Sequence, residues 1–232
     1  MNILLIGTDT PHRRFIINRL LDMNIKLNTC IFQKKTFSPK FKIIPKWHVR
    51  EKNELKKIFK NKTRNDLQRV KKIIKVNNLS LILKKNKQDI QNADFIIISG
   101  ADWIKGNLLK LIKSKSINVH MGIAEKYRGL DSNLWAWYHE DYKNMGVTLH
   151  ELDHNLDTGK IFKKGFLNIS YKTQVWLLRY HESNLATKLI ISAINKFNTN
   201  KYVLNKQKNI GRYYSFMPAV IKNNLNITPG NK

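Results

Sequence analysis

The sequence predicts an α/β fold in which a mostly parallel sheet is flanked by helices. Residues 2–32 read as strand, turn, helix and strand, and such a unit usually joins parallel neighbours through a right-handed crossover. Residues 94–99, DFIIIS, are almost continuously apolar, which is typical of a strand buried on both faces of a parallel sheet. In such sheets the functional site is expected at the carboxyl ends of the strands.

The first elements are defined by a short apolar run and the turn that follows it. Residues 2–7 predict a buried strand, and residues 8–11, Thr-Asp-Thr-Pro, supply the cap and turn that begin a helix through about residue 23. Residues 25–32 predict the second strand. The turn presents helix N-terminal amides and so offers an anion site, although it lacks the GxGxxG pattern of a dinucleotide-binding turn. The alternative is an ordinary capped turn that binds nothing.

Residues 34–75 form a strongly basic segment, with sixteen Lys or Arg against three acids. Two prolines come early, and apolar residues then recur with a helical period, which predicts a loop followed by one or two amphipathic helices. A solvated cationic face is the usual reason for such a run. A nucleic-acid role would require interleaved aromatic residues, and these are sparse here.

The remaining chain continues to alternate strands and helices. Predicted strands cover residues 79–83, 94–99, 116–120, 146–152 and 160–169, and predicted helices cover residues 88–92, 107–114, 135–142 and 174–197. We expect a catalytic domain over residues 1–170, followed by a C-terminal helix and a small tail with a hairpin over residues 171–232.

Composition limits the classes of protein to be considered. A net charge of +27 is compatible with a nucleic-acid, anionic-membrane or polyphosphate ligand, but the charge is spread along the chain, which favours a lysine-rich solvated surface. The single Cys30 excludes a disulfide framework and a cysteine metal cage. No apolar stretch is long enough to span a membrane and no signal peptide is recognisable, so we expect a cytoplasmic protein. The Tyr-rich last quarter suits either a homodimer interface or packing against the long helix.

Residues 117–161 gather the proton-handling side chains, with seven of the sixteen acids and four of the seven histidines in or beside the stretch. Asn118 and His120 lie two apart at the end of a predicted strand, so both face the same side. An amide can donate to a developing oxyanion, and an imidazole can take up or return a proton near neutral pH. Asp157, in a Leu-Asp-Thr-Gly turn, is suited to orient that imidazole. The alternative for a lone histidine is a satisfied core residue.

Several short motifs follow one another along this stretch. They are Asn-Val-His at 118–120, Tyr-Arg-Gly at 127–129, Trp-Ala at 135–136, Gly-Val-Thr-Leu-His at 146–150 and Leu-Asp-Thr-Gly-Lys-Ile at 156–161. Together they resemble the formyltransferase family, which includes glycinamide ribonucleotide, methionyl-tRNA and nucleotide-sugar N-formyltransferases. The resemblance implies a Rossmann-like domain over roughly residues 1–170 and 10-formyltetrahydrofolate as co-substrate.

The resemblance also implies roles for individual residues. His120 would take the proton of the attacking amine, Asn118 and protonated His120 would stabilise the oxyanion, and Asp157 would support the proton transfers. The positions that match the family's folate pocket are Ser99, Gly100, Ala101, Asp153 and Leu156. The candidates for binding the sugar or phosphates of the acceptor are Lys126, Tyr127, Arg128, Thr8 and Asp9.

Two positions depart from the family pattern. Many members follow the histidine with a Ser-Leu-Leu-Pro segment, and this chain has Gly122 and Glu125 where that Ser and Pro stand. The shape of the loop over residues 121–125, and with it the acceptor, is therefore left open.

A competing zinc motif overlaps the matched region. Residues 150–154, HELDH, satisfy the HExxH pattern, which needs both histidines on one face of a helix. The flanking residues favour a strand followed by a turn, and in a strand residues four apart lie about 13 Å apart, too far for one ion. We therefore expect no metal site.

The segments on either side of the matched region indicate which amine is the acceptor. Methionyl-tRNA enzymes of the family carry a C-terminal barrel, and only about sixty residues follow residue 170 here. Glycinamide ribonucleotide enzymes begin with a Gly/Ser-rich phosphate loop that residues 8–11 do not match. We expect a nucleotide-linked amino-dideoxy sugar, as used in surface polysaccharide synthesis. Formyl transfer to methionyl-tRNA or glycinamide ribonucleotide, a formyltetrahydrofolate hydrolase, and a basic nucleic-acid binder on a Rossmann-like scaffold remain as alternatives.

Overall fold

Strands and helices alternate through the computed structural model, which describes residues 1–34, 36–59 and 66–230. In chain order they are β1 (Ile3–Gly7), α1 (Pro11–Asp22), β2 (Leu27–Gln33), α2 (His48–Ile58), β3 (Lys72–Val76), α3 (Ile82–Gln91), β4 (Phe95–Ser99), α4 (Gly106–Ile112), β5 (Ser116–His120), β6 (Tyr127–Gly129), α5 (Ser132–Tyr138), β7 (Gly146–His150), β8 (Ile161–Phe166), α6 (Leu178–Asn198), β9 (Arg212–Tyr214) and α7 (Ala219–Asn223). None of the helices described in these ranges is both long and apolar enough to cross a membrane.

Seven strands form the main sheet, in the order β3-β2-β1-β4-β5-β7-β8. The five strands from β3 to β5 run parallel, and β7 and β8 complete the sheet as antiparallel strands. Every residue of β1 and β4 is buried, as the apolar runs in the sequence required. The predicted α/β fold with a mostly parallel sheet is therefore confirmed.

Helices cover both faces of this sheet. Ile3 and Leu5 of β1 pack into one apolar layer with α1 and α6, whereas Leu4 and Ile6 pack into another with α3 and α4. Strand residues alternate between faces, so one strand contributes to both layers. Because α6 packs in the same layer as α1, it belongs to the main body; the predicted domain division at residue 170 stays a prediction.

A third apolar cluster joins the tail to α5. Trp137 on α5 packs with Met145, Trp176 and Met217, all buried. The indole N–H of Trp137 donates to the carbonyl oxygen of Asn226 over 2.9 Å. The tail therefore lies against the half of the molecule that carries β5 and β7.

Two predictions between β2 and β4 are wrong. The helical period over residues 67–74 corresponds to a single 3-10 turn and to β3, because pairing with β2 at the sheet edge outweighs the local pattern. Residues 60–65 of the predicted helical segment lie outside the described residues. The strand predicted over residues 79–83 is a 3-10 turn that leads into α3. The helix predicted over residues 88–92 is the last part of α3, which ends one residue earlier, at Gln91.

The predicted C-terminal hairpin is also wrong. The tail contributes β9, which pairs in parallel with β6 in a separate two-stranded sheet. The Tyr-Arg-Gly segment at 127–129, for which the sequence predicts no strand, forms β6 because a partner some 85 residues away pairs with it. The tail thus completes the region around the predicted catalytic residues.

Cys30 lies in β2, between α1 and the sheet. Its side chain is fully buried. Burial, with a smaller contribution from Asp9, raises the pKa of the thiol to about 12. The thiol is therefore protonated and shielded from solvent, as expected of a small core residue.

Candidate active site

Two neighbouring strands direct polar side chains to one face of the sheet. Asn118 and His120 lie two residues apart near the end of β5, so both point to the same side. β7 runs antiparallel to β5 and sets His150 directly opposite Asn118. Residues opposite each other in a ladder share a face, so His150 joins the two predicted catalytic residues.

The turn after β7 brings Asp157 to the same place. Its Oδ2 lies 3.4 Å from Nδ1 of His120, and its Oδ1 accepts a hydrogen bond from Nδ2 of Asn118 over 3.4 Å. The backbone N–H of Gly129 donates to Oδ2 over 2.7 Å. Asp157 has a left-handed backbone with φ of 56°, so surrounding contacts must hold the turn in this conformation. Asp157 thus contacts both of the other predicted catalytic residues.

Burial and neighbouring charges shift the pKa values of Asp157 and His120 in opposite directions. Burial raises the pKa of the Asp157 carboxyl, but the imidazoles of His120 and His150 and the N–H of Gly129 outweigh it and bring that pKa below its usual value. Burial lowers the pKa of His120, and the Asp157 carboxylate offsets this only in part. Asp157 is therefore an anion at neutral pH, and His120 is a neutral imidazole able to accept a proton.

His150 fixes the orientation of the Asn118 amide. Nδ1 of His150 donates to the carbonyl oxygen of Glu151 over 2.8 Å, and its Nε2 lies 3.3 Å from Oδ1 of Asp157, to which the protonated ring donates. In the neutral ring Nε2 is instead an acceptor. Nδ2 of Asn118 donates to that nitrogen over 3.0 Å. The second bond of the amide, to Asp157, is longer at 3.4 Å and is the weaker of the two. The amide can therefore exchange the longer bond for an oxyanion while His150 continues to hold it.

The loop after β5 supports the other edge of His120. Nε2 of His120 donates to the carbonyl oxygen of Tyr127 over 2.8 Å. A Cβ added at Gly122 would lie 2.6 Å from that nitrogen and 2.6 Å from Cβ of Ser132, so a larger residue does not fit without displacing one of them. The hydroxyl of Thr148, on β7, donates to the carbonyl oxygen of Gly122 over 2.7 Å. Gly122, the first departure from the family pattern, is thus required by close packing on the imidazole.

The second departure, Glu125, ties the same loop to the tail. Its side chain is buried, pairs with Lys164 and accepts a hydrogen bond from the backbone N–H of Lys208 over 2.7 Å. Burial opposes ionisation, but these partners together lower the pKa of the Glu125 carboxyl. A carboxylate therefore anchors the loop where many family members have proline.

A cavity of about 1740 Å³ opens beside the three residues. Its lining includes all the positions predicted for the folate and two of those predicted for the acceptor. These are Ser99, Gly100, Ala101, Asp153 and Leu156, with Thr8 and Asp9. Lys126, Tyr127 and Arg128 are not among the described residues that line it, and Lys126 is exposed to solvent. The binding roles of both groups stay predictions.

Tyr127 and Arg128 make contacts within the protein. Tyr127 is buried, and its hydroxyl donates to Asp141 over 3.0 Å. Arg128 donates from Nη1 to the carbonyl oxygen of Leu156 over 3.0 Å and from Nε to that of Gly211 over 2.6 Å. Both side chains therefore hold parts of the protein together around the loop over residues 121–125, the turn that carries Asp157 and the C-terminal tail.

Arg13 brings to the cavity a cation that takes part in none of the ion pairs found among the described residues. Its Nη1 donates to the hydroxyls of Thr8 and Thr10. Its guanidinium occupies the space beside Gly100, where an added Cβ would overlap it and where a φ of +61° also favours glycine. Burial and the cation of Arg179 lower the pKa of Arg13 to about 9, so it remains charged at neutral pH. A cation of this kind favours an anionic ligand.

Further charges lie at the rim of the cavity, where α5, α6 and α7 meet. Asp131 lies 3.6 Å from Arg179 and 2.7 Å from Lys222. Glu182, on α6, accepts a hydrogen bond from Nδ2 of Asn133 over 2.7 Å. Burial, opposed by Arg179, raises the pKa of the Glu182 carboxyl to about 7. This rim therefore changes its charge close to neutral pH.

The HELDH segment follows the strand-and-turn prediction. β7 ends at His150, and residues 151–154 are not helical. His150 is buried and His154 is exposed, so the two do not share a helix face as a zinc protease requires. Across the described ranges, no group of three or more His, Cys, Asp or Glu is arranged to hold a metal ion.

Comparison with known families identifies the chain. A model of the formyl transferase family matches residues 38–194, more than half of the sequence. The chain belongs to the formyl transferase family. The match contains β5, β7 and Asp157, and it confirms the resemblance seen in the motifs.

Individual formyltransferases are more distant. Methionyl-tRNA formyltransferase of Prochlorococcus marinus (strain MIT 9515) is 26% identical over 133 residues, which cover 55% of this chain and 40% of that protein. The chain thus spans about 40% of the length of that relative. GDP-perosamine N-formyltransferase of Brucella melitensis is 38% identical over 58 residues, covering 25% of this chain and 22% of the relative.

The fold of a solved formyltransferase is similar over nearly the whole chain. PseJ from Anoxybacillus kamchatkensis, in complex with UDP-4,6-dideoxy-4-formamido-L-AltNAc and tetrahydrofolate, superposes with a TM-score of 0.58 at 18% identity. The match covers 93% of this chain and 86% of that one. The Rossmann-like formyltransferase fold is therefore confirmed.

Two residues of this site were missed in the sequence. The Gly-Val-Thr-Leu-His block and the zinc motif both contain His150, but neither predicts its place in the site. Thr148 and His150 alternate as polar residues along an otherwise apolar strand, which is a signal for a shared face. Arg13 follows directly on the turn expected to hold an anion, but its proximity to Gly100 depends on the fold.

Proposed function

We propose that the protein transfers the formyl group of 10-formyltetrahydrofolate to the amino group of a nucleotide-linked amino-dideoxy sugar, as in surface polysaccharide synthesis. The observation that carries the proposal is the convergence of Asn118, His120 and Asp157 on a cavity of about 1740 Å³. Pockets for one small molecule usually measure about 300–1,000 Å³. This cavity therefore has room for two substrates side by side.

The lining of the cavity suits a folate. Ile98, Ala101 and Ile104 come from β4 and the segment after it, and Leu152 comes from the turn before Asp157. A flat ring system is bound by apolar walls with a few polar groups that orient it. The co-substrate supplies the formyl carbon that the amine attacks, and tetrahydrofolate is the product that leaves.

The three residues divide the chemistry between them. His120 accepts the proton that the amine loses as its bond to the formyl carbon forms, and it returns that proton to the departing folate nitrogen. Asp157 stabilises the imidazolium between these two transfers, 3.4 Å from Nδ1. Asn118 donates to the formyl oxygen as negative charge develops on it. The amine ends as a formamide, and the folate nitrogen regains a hydrogen.

The charge of the cavity supports an anionic acceptor. Arg13 lines the cavity and takes part in none of the described ion pairs, and a pyrophosphate is a ligand that would satisfy it. By its name the Brucella relative acts on GDP-perosamine, and the Anoxybacillus enzyme was solved with a UDP-linked formamido sugar. These facts concern those proteins, and they favour a nucleotide sugar here.

Methionyl-tRNA is the second candidate acceptor. It is supported by the relatives that are 26% identical over more than half of this chain, and by the net charge of +27, which suits a polyanion. Under this alternative, formylation of charged tRNA would fall steeply with rising salt.

The test is direct formylation of defined acceptors. Purified protein is incubated with 10-formyltetrahydrofolate and a panel of UDP-, GDP- and dTDP-linked amino sugars, with methionyl-tRNA in parallel, and products are detected by mass spectrometry. We expect a formamido sugar. His120→Ala should lose about 10²–10⁴ in rate and Asn118→Ala about 10²–10³, whereas the exposed His154→Ala serves as a matched control and should retain activity. Formylated tRNA alone, or release of formate without an acceptor, would overturn the proposal.

A further inference from the structure

The backbone of the catalytic turn is held by a side chain from the C-terminal tail. Nε2 of Gln207 donates to the carbonyl oxygens of Asp157, over 2.8 Å, and Gly159, over 2.9 Å. Gln207 lies 50 residues after Asp157, so this contact belongs to the tertiary structure and not to the turn itself. Arg128 adds a third bond, to the carbonyl oxygen of Leu156. Three carbonyls of this short turn thus accept hydrogen bonds from outside it.

Gln207 is itself held on both sides. Before it, Asn205 exchanges two backbone hydrogen bonds with Ile161, at 2.8 and 2.7 Å. After it, the N–H of Lys208 donates to the buried carboxylate of Glu125 over 2.7 Å. A side chain between two fixed points can transmit its position to the turn that it binds.

We propose that Gln207 is a positioning residue, which holds the turn so that the Asp157 carboxylate faces His120. Asp157 is a non-glycine residue in a left-handed conformation, which persists only where surrounding contacts impose it. The two bonds from Gln207 act on the peptide groups of Asp157 and Gly159, on either side of Thr158. Without them the turn relaxes toward an ordinary conformation, and the carboxylate moves away from the imidazole.

The position of Asp157 can be measured through His120. The charged and titratable groups that face this imidazole are Asp157, which raises its pKa, and His150 and Arg128, which lower it. Withdrawal of the carboxylate therefore lowers the pKa of His120. This readout needs no substrate, and it stays valid whichever acceptor the enzyme uses.

The experiment compares Gln207→Ala and Gln207→Met with the wild-type protein. Methionine keeps the length of the side chain, removes both N–H donors and adds no charge, so the pair separates hydrogen bonding from space filling. The neighbouring, exposed Lys206→Ala is the matched control. The imidazole of His120 is titrated by NMR in the absence of substrates, and formyl transfer is assayed in parallel; only the second measurement rests on the proposed function.

We expect both Gln207 variants to fold, to lower the His120 midpoint by about half a pH unit, and to lose about tenfold in kcat with little change in KM. An unchanged midpoint in both variants would overturn the inference, as would unfolding of both, because Gln207 would then support the fold and not the turn. If wild-type protein transfers no formyl group but the midpoint still falls, the proposed function fails and the positioning role stands.

Discussion

Replacing Glu182 by glutamine should remove a pH-dependent loss of stability. The carboxyl is buried at the rim of the cavity, and burial raises its pKa from 4.5 to about 7 despite the neighbouring Arg179. A raised pKa means that the folded state holds its proton more tightly than the unfolded state. The stability that protonated Glu182 contributes to the folded state is therefore fully present below pH 4.5 and is lost as pH rises to about 7. The difference between the two pKa values corresponds to about 3 kcal/mol at about 1.4 kcal/mol per pH unit.

Urea unfolding followed by tryptophan fluorescence at pH 5 and pH 8 measures this loss. Glutamine keeps an acceptor for the N–H of Asn133, so the hydrogen bond of 2.7 Å is retained. We expect Glu182→Gln to match the wild type at pH 5 within about 1 kcal/mol and to be more stable at pH 8 by up to about 3 kcal/mol. The surface pair of half-exposed Glu54 and exposed Lys57 gives the control, since Glu54→Gln should show no such difference. An equal effect of Glu182→Gln at both pH values would refute the reasoning.

Two further predictions concern the catalytic residues. Gly122→Ala would set a Cβ 2.6 Å from Nε2 of His120, so kcat should fall about tenfold or more. Gly230→Ala, where an added Cβ has no atom within 4 Å, is the control and should leave kcat unchanged. Steady-state kinetics measure both variants, with circular dichroism as a folding check, and a wild-type kcat in Gly122→Ala would contradict the packing argument. Because burial lowers the pKa of His120 below 6.5, the rate should rise with pH, pass its midpoint below pH 6.5 and then level off. Asp157→Asn removes a charge that raises the pKa of His120, so the midpoint of the rate profile should lie at a still lower pH and kcat should be reduced. A midpoint that moves upward in the kinetic pH profile of this variant would contradict the assignment of the midpoint to His120.

The parts of the fold that depend on local pattern were predictable from the sequence. β4 and β5 occupy the predicted positions because their apolar runs are short, bounded and buried on both faces. β3 was not recognised, because Ile73 and Ile74 fit a helical period equally well and only pairing with β2 decides between the two. β6 is not predicted for a similar reason, since its partner β9 comes from the distant tail.

In the candidate site, too, residues with a local sequence signal were predictable, whereas residues that depend on distant contacts were not. The contact of Asn118, His120 and Asp157 was expected from motifs that lie within 45 residues of each other. The roles of His150 and Gln207 depend on the antiparallel register of β7 against β5 and on the path of the tail, neither of which leaves a local signature. Sequence reasoning therefore singled out the groups that are predicted to carry the chemistry, and it missed those that we propose hold them in place.

The buried thiol of Cys30 has a practical consequence. It is the single cysteine of the chain, it is fully buried, and the pKa of its thiol is raised to about 12. Alkylating reagents require an accessible thiolate, so they will not modify it. Cysteines introduced at exposed Val49 on α2 and at exposed Lys206 in the tail would then be the sites that take up a spectroscopic label. The distance between two such labels would report whether α2 and the tail move relative to each other when substrates are added.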